Sequence, residues 1–142
     1  MSTPILDFIP GDPSPDDLRA IVAALDIYNN THSGMPDKPG FAIIIRNPET
    51  QAAVGGLYAL DSYGWAFVRY LAIAEQYRGL GLGRRLMEEA EKITKARSYI
   101  GIWLDTFEFQ ARPFYEKLGF KLFGQVEGGP GAIPRYFLKK RF

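Results

Sequence analysis

The stretch "EQYRGLGLGRRLMEEAEK", residues 75–92, decides the fold. Glycines stand at 79, 81 and 83, and a charged amphipathic pattern begins directly after them. Alternating glycines at a helix start mark a place where backbone comes close to something else, because no Cβ stands in the way. The helix itself reads clearly. Leu86, Ala90, Ile93 and Arg97, with Met87, hold one face, and Glu88–Lys92 and Glu91–Lys95 are spaced as favourable i,i+4 pairs on the other.

Several uses compete for the glycines. A dinucleotide fingerprint needs G-x-G-x-x-G, and the sixth position counted from Gly79 is Arg84. A phosphate-binding G-x-x-x-x-G-K-[ST] string does not occur. Two readings stay open: a strand-to-helix turn whose glycines allow close packing, and an anion site at a helix N-terminus. Free N–H groups and the positive end of the helix dipole favour the second, and Arg78, Arg84 and Arg85 add positive charge around the turn.

Working outward, "FAIIIR" (41–46), "QAAVGGLYAL" (51–60) and "WAFVRYLAIA" (65–74) are β-rich runs separated by the turns "NPET" and "DSYG". They predict consecutive antiparallel strands. "YIGIWLDTF" (99–107) reads as a buried strand, and the strand–helix–strand order makes 65–74 and 99–105 a parallel crossover. "RPFYEKLGF" gives a short helix, with Pro113 in its first turn and Gly119 as its stop. "FKLFGQV" and "RYFLKKRF" form a final hairpin across the loop 127–134. Ahead of the strands, "PGDPSPDD" (10–17) is a turn cluster that can cap a helix over 16–29, with Leu18, Ile21, Val22, Leu25 and Tyr28 at helical spacing. A polar loop over 29–40 follows and carries the only histidine, His32, where a solvated role is expected. The fold class is α/β, an α+β mixed sheet, in a single domain over 1–142.

At 142 residues, with 46% hydrophobic and 23% charged side chains, the chain is sized for one well-packed core. Lys and Arg number 17 against 16 Asp and Glu, a balance of +1 that implies no nucleic-acid partner. Without cysteine there are no disulfides, no cysteine-ligated zinc and no cysteine nucleophile. The opening "MSTPILDFIPGDPSPDD" lacks the basic and apolar regions of a signal peptide, and no apolar run approaches the about 18 residues of a membrane span. The expectation is a cytoplasmic protein with no membrane partner and no metal.

One string is more specific than composition. Gln76-Tyr77-Arg78-Gly79-Leu80-Gly81 resembles the Q/R-x-x-G-x-G/A signature of the GCN5-related N-acetyltransferases (GNAT), and "FYEKLGF" resembles that family's second hallmark at the expected distance. The resemblance runs from about Phe41 to the C-terminus. It implies antiparallel N-terminal strands, a central β-α-β crossover with splayed parallel strands, and a C-terminal hairpin.

It also implies a donor, acetyl-CoA as cosubstrate, whose pyrophosphate would lie on the backbone of Arg78, Gly79, Leu80, Gly81, Leu82, Gly83 and Arg84, with Gln76 opening the signature. Pantetheine would add as a pseudo-strand to Leu71, Ala72 and Ile73, beyond a bulge in their strand. Tyr115 corresponds to the family's tyrosine near the thioester sulfur, where a phenol can protonate the departing thiolate. Phe114 beside it joins the cofactor-facing set, although its ring is expected mainly to pack. Where many members carry asparagine, this chain has Glu108, so Gln110 or backbone would have to supply the amide contact.

Asp105, at the end of the parallel strand, is the first candidate for the base that deprotonates the amine, with Asp61 and Glu75 as alternatives. Arg69, charged within an apolar strand, either lines the acceptor pocket or lies on a solvated face. The implied activity is acetyl transfer to a primary amine, small-molecule or peptide, by direct attack in a ternary complex. A non-catalytic CoA-binding module, or transfer of another acyl group, fits the same cradle. A homodimer is compatible with the resemblance.

Overall fold

A computed structural model describes residues 2–36 and 38–142. The chain forms two compact units, Met1–Asp37 and Lys38–Phe142. In the first, helix α1 spans Pro15–His32. The turn cluster caps it as its composition implies: the Ser14 side chain accepts a hydrogen bond from the Asp17 N–H at 3.1 Å, and Pro15 occupies the first turn, where a missing N–H costs nothing. The helix runs past Tyr28, so His32 belongs to its last turn and not to a loop. Its ring stacks on Tyr28 with centroids 4.0 Å apart, which is helical i,i+4 contact extending the helix.

The second unit is a six-stranded sheet in the order β1-β2-β3-β4-β6-β5. Strands β1 (Phe41–Arg46), β2 (Ala53–Ser62) and β3 (Trp65–Ile73) are antiparallel neighbours. The turn between β2 and β3 shrinks to Tyr63 and Gly64, both at positive φ (50° and 94°), the geometry that a two-residue hairpin of matching twist requires. A 3₁₀ turn, Glu75–Tyr77, and helix α2 (Leu82–Ala96) lead to β4 (Gly101–Phe107), which pairs parallel to β3. Helix α3 (Arg112–Lys117) stops before Gly119 at φ 95°. Strand β6 (Arg135–Arg141) then inserts between β4 and β5 (Lys121–Val126), antiparallel to both.

Period-two alternation sorts the sheet. On β4, Ile102, Leu104 and Thr106 are buried, while Trp103, Asp105 and Phe107 face the other way and are half-buried. The buried set joins Ala66, Val68 and Leu138 with Leu86, Met87 and Ala90 of α2. Helix α2 buries Thr94 where the sequence pattern puts Ile93 and Arg97 inward; Ile93 is half-buried and Arg97 exposed. Thr94 sits one turn beyond Ala90, and its hydroxyl tolerates burial by donating to the Ala90 and Glu91 carbonyls, both at 2.9 Å. On the surface Glu91 pairs with Lys95 at 3.2 Å as spaced, but Glu88 pairs with Arg84 at 2.9 Å, leaving Lys92 to approach Glu89 at 3.9 Å. Arg84 lies N-terminal to Glu88 and competes for it from the preceding turn.

Helix α2 is also tied to the sheet by Glu91, whose Oε2 accepts from Lys140 of β6 at 3.1 Å. Burial works to raise the Glu91 carboxyl, but hydrogen bonds from Lys140 and Lys95 outweigh it and hold the group below its ordinary value of 4.5. A carboxyl depressed on folding contributes stability that is present above its unfolded value and lost as the pH falls through the folded one. Glu91→Gln is therefore expected to unfold at lower urea than the parent at pH 7, with the gap closing as the pH falls below about 4.5, read from urea midpoints across pH.

Candidate active site

The parallel pairing of β3 with β4 is short. It joins Ala66–Val68 to Ile102–Leu104 and stops. The cause lies on the opposite side of β3, where Tyr58 and Ala59 of β2 face Tyr70 and Val68, so Arg69 is an extra residue in the ladder. Such a bulge bends and twists its strand. Beyond it Leu71, Ala72 and Ile73 still pair with Leu57, Gly56 and Gly55, but not with β4. The strands part into a crevice of ≈ 380 Å³, lined by Leu71 and Ala72 on one side and Leu104 and Asp105 on the other, with Gln110, Phe114 and Tyr115 from the α3 side. The β3 backbone beside the crevice has no strand partner there, in the middle of a sheet, where pairing is otherwise the rule.

The turn after β3 is pinned at both ends. Arg78 Nε donates to the Ile73 carbonyl at 3.0 Å, and the Tyr77 hydroxyl accepts from Asn47 Nδ2 at 3.0 Å. Gln76 and Leu80 are exposed. Gly79 and Gly81 adopt positive φ (79° and 75°), and a Cβ on either would meet nothing within 4 Å. Open space lies there. The first intrahelical bond of α2 runs from the Arg85 N–H to the Gly81 carbonyl at 3.1 Å, so the N–H groups of Leu82, Gly83 and Arg84 have no helix partner at the positive end of the dipole. Gly83 serves differently. A Cβ there would stand 3.3 Å from Cζ of Phe114, so this glycine lets the α3 aromatic ring pack on the start of α2. The close-packing reading holds at Gly83, while Gly79 and Gly81 border open space.

Tyr115 is buried, with its ring edge-on to Phe114 and Phe120. Burial, reinforced by the negative charge of Asp105, pushes its phenol up to about 12. The phenol is thus protonated at neutral pH. Asp105 is not free: Arg135 Nε and Nη2 both donate to its Oδ1, at 2.9 and 2.6 Å. Its Oδ2 accepts no hydrogen bond among the described residues. Gln110 holds the strand end, its Oε1 accepting from the Phe107 N–H at 2.7 Å, which leaves its amide N–H₂ for other use. Glu108 is exposed and donates through its backbone to the Pro134 carbonyl at 2.9 Å.

Tyr115, Asp105, Leu71, Ala72, Gln110 and Phe114 thus share one crevice, while Gln76, Arg78 and residues 79–84 form the adjoining turn, with Ile73 between the two. Arg69 lines the crevice too. Asp61 lies apart, paired with Ala66 next to the β2–β3 turn, and Glu75 is exposed in the 3₁₀ turn. The residue sequence reasoning missed is Arg135. Its only advance signal is a charge opening a strand directly after a Gly/Pro-rich loop. No group of three or more His, Cys, Asp or Glu able to hold a metal occurs among the described residues, and no helix among them is long and apolar enough to cross a membrane.

This arrangement has relatives. Residues 11–120 match the model of the acetyltransferase (GNAT) family. The acetyltransferase Atu2258 of Agrobacterium fabrum is 32% identical over 124 residues, covering 87% of this chain and 90% of that protein. A crystal structure described as an acetyltransferase from Agrobacterium tumefaciens superposes with a TM-score of 0.86 at 30% identity, over 96% of this chain and all of that one. The fold is also that of an aminoglycoside 6'-N-acetyltransferase complexed with coenzyme A, with a TM-score of 0.63 at 22% identity, over 89% and 87% of the two chains. The chain belongs to the acetyltransferase (GNAT) family, and its enzyme class is acetyltransferase.

The environment of Tyr115 is directly measurable. In a spectrophotometric titration, the difference between the parent and Tyr115→Phe isolates one phenol; it is expected to ionise near pH 12, and a step near the ordinary value of 10 would contradict the buried placement.

Proposed function

We propose that the chain, acting as one domain, is an acetyl-CoA-dependent N-acetyltransferase that transfers the acetyl group directly to a primary amine. The observation that carries this reading is the opened β3 edge meeting a glycine cradle, with a protonated phenol in the same crevice. The N–H groups at the start of α2 suit a pyrophosphate, and the empty space over Gly79 and Gly81 lets it approach. The unpaired edge at Leu71–Ile73 suits the amides of a pantetheine arm, which would pair as an added strand. Gln110 has an amide donor to offer where Glu108 does not. The CoA complex of the aminoglycoside acetyltransferase, a protein of the same fold, agrees with this donor.

The chemistry follows from the groups present. The amine lone pair attacks the thioester carbonyl carbon, and the carbonyl π electrons move to oxygen. The tetrahedral adduct collapses by breaking the carbon–sulfur bond, and Tyr115 gives its proton to the departing thiolate. The proton lost by the amine passes to Asp105 Oδ2, directly or through water, with Arg135 fixing the carboxylate. Burial of the phenol keeps it protonated until it is needed. No covalent acyl-enzyme is required, in keeping with a chain that has no cysteine.

Two variants test the donor site and the chemistry separately. Gly81→Val puts a branched side chain in the cradle at positive φ, and calorimetry is expected to show CoA binding abolished, with a melt at the same pH reporting the backbone strain independently. Normal CoA binding would remove the cradle from this reading. Tyr115→Phe is expected to lower kcat by about 10- to 1,000-fold while CoA affinity holds, as loss of a general acid does. An unchanged kcat would take Tyr115 out of the mechanism.

A further inference from the structure

On the sheet face that carries Asp105, the neighbouring side chains are aromatic. Phe67 stacks on Trp103 with centroids 4.1 Å apart and planes at 17°. Trp103 meets Phe123 edge-on at 6.4 Å, and Phe123 lies tilted against Phe137 at 6.3 Å. Trp103, Phe123 and Phe137, with Trp65, Ser62 and Lys139, line a second, shallow cavity of ≈ 410 Å³. That volume lies in the range of small-molecule sites, about 300–1,000 Å³.

The walls of this cavity and of the crevice are neighbours on β4 and β6. Trp103 precedes Asp105 by two residues on the same face, a step of about 7 Å along a strand. Phe137 is the direct partner of Asp105 across β4 and β6, and the Arg135 guanidinium that holds Asp105 lies 5.7 Å from the Phe137 ring centroid. Within the sheet unit, α2 and α3 lie on the other side: α2 packs on the Leu104 face, and Phe114 of α3 packs on α2. Within that unit, a donor seated at the start of α2 therefore leaves the aromatic face as the approach to the thioester.

Charge narrows the choice of acceptor. The two cavities are lined by the cations Arg69, Arg135 and Lys139 and by one carboxylate, Asp105, which already takes two hydrogen bonds on one oxygen. Lys139 sits over the Phe123 ring at 5.3 Å, at the far wall. A polyamine would bring several positive charges into a net-positive bay, and like charges there are unfavourable. A single amine on a flat apolar ring brings at most one such charge and gains contact with the wall rings.

We propose that the acceptor is a monoamine carried on an aromatic ring, seated against Trp103, Phe123 and Phe137 with its amine towards Asp105. This rests on the acetyl-transfer reading for its chemistry, but not for its binding. Thiol release from acetyl-CoA is to be measured with phenethylamine, ethanolamine and spermidine. Each amine is also titrated against the intrinsic fluorescence of Trp65 and Trp103, the only two tryptophans, both in the cavity wall. The expected result is saturable quenching by phenethylamine alone, and a kcat/KM for it about tenfold or more above the other two, from burial of the ring. Phe123→Ala removes a half-exposed wall ring and is expected to raise KM for phenethylamine about 3- to 10-fold rather than lower kcat, with an unchanged melting temperature. Ethanolamine or spermidine used as well as phenethylamine, or no saturable quenching by phenethylamine, overturns the aromatic-amine assignment even if acetyl transfer is found. Saturable quenching by phenethylamine without thiol release from any amine supports the aromatic site and defeats the acetyl-transfer reading instead.

Discussion

The site depends on one extra residue. Arg69 enlarges β3 by a position relative to β2, and the parallel ladder to β4 ends at the residue before it, Val68 against Leu104. A strand edge opened inside a sheet leaves backbone donors and acceptors without partners, a state that folded chains rarely tolerate away from water or a ligand. Here the cost is contained because β2 continues to hold β3 as far as Ile73, so the strand is fixed on one side while it is open on the other. The same bend carries the chain directly into the turn at 75–81, where the Arg78 side chain locks the strand end to the glycine cradle. Crevice and glycine turn thus follow one another along a single strand and are joined by the Arg78 bond to Ile73.

The second dependency is the register of β6. Because the last strand inserts between β4 and β5, Phe137 falls opposite Asp105 and Arg135 opposite Phe107. That register gives Asp105 its guanidinium partner, and the Phe107 and Phe137 rings flank the guanidinium at 5.2 and 5.7 Å. A half-buried carboxylate needs such a partner to remain in place, and the geometry leaves one oxygen of the pair available. A slip of one residue would turn Arg135 to the opposite face and point Tyr136 at the carboxylate. Asp105 therefore carries its orientation from a strand 30 residues away.

How legible these features were in the sequence follows from how local they are. Strand and helix types were legible throughout the sheet unit, because each element repeats one period over five or more residues: Leu86, Met87 and Ala90 on α2, and Ile102, Leu104 and Thr106 on β4. Ends were less so. Helix α1 continues to His32, where the Thr31 hydroxyl and His32 Nδ1–H donate to the Ile27 and Tyr28 carbonyls and the His32 ring stacks on Tyr28, contacts that polar composition alone does not reveal. The pairing of Glu88 with Arg84 in place of Lys92 shows the same limit, since two partners at i,i+4 spacing compete for one carboxylate and spacing alone does not rank them.

The same distinction separates the two halves of the reaction. On the proposed reading, recognition of a donor by backbone N–H groups leaves a local trace, because backbone is exposed only where side chains are missing, and the glycines at 79 and 81 are that trace. Recognition of an acceptor by side chains leaves none. Trp65 and Phe67 lie on β3, Trp103 and Asp105 on β4, and Arg135 and Phe137 on β6, and each alternation reads in isolation as an ordinary half-buried strand. They become one wall only through the parallel register of β3 with β4 and the insertion of β6, both set by packing far along the chain. A chain of this fold can therefore alter what it acetylates by exchanging rings and charges on that face while the glycine turn stays constant. On the proposed reading the turn marks the donor, and only the assembled sheet carries information about the acceptor.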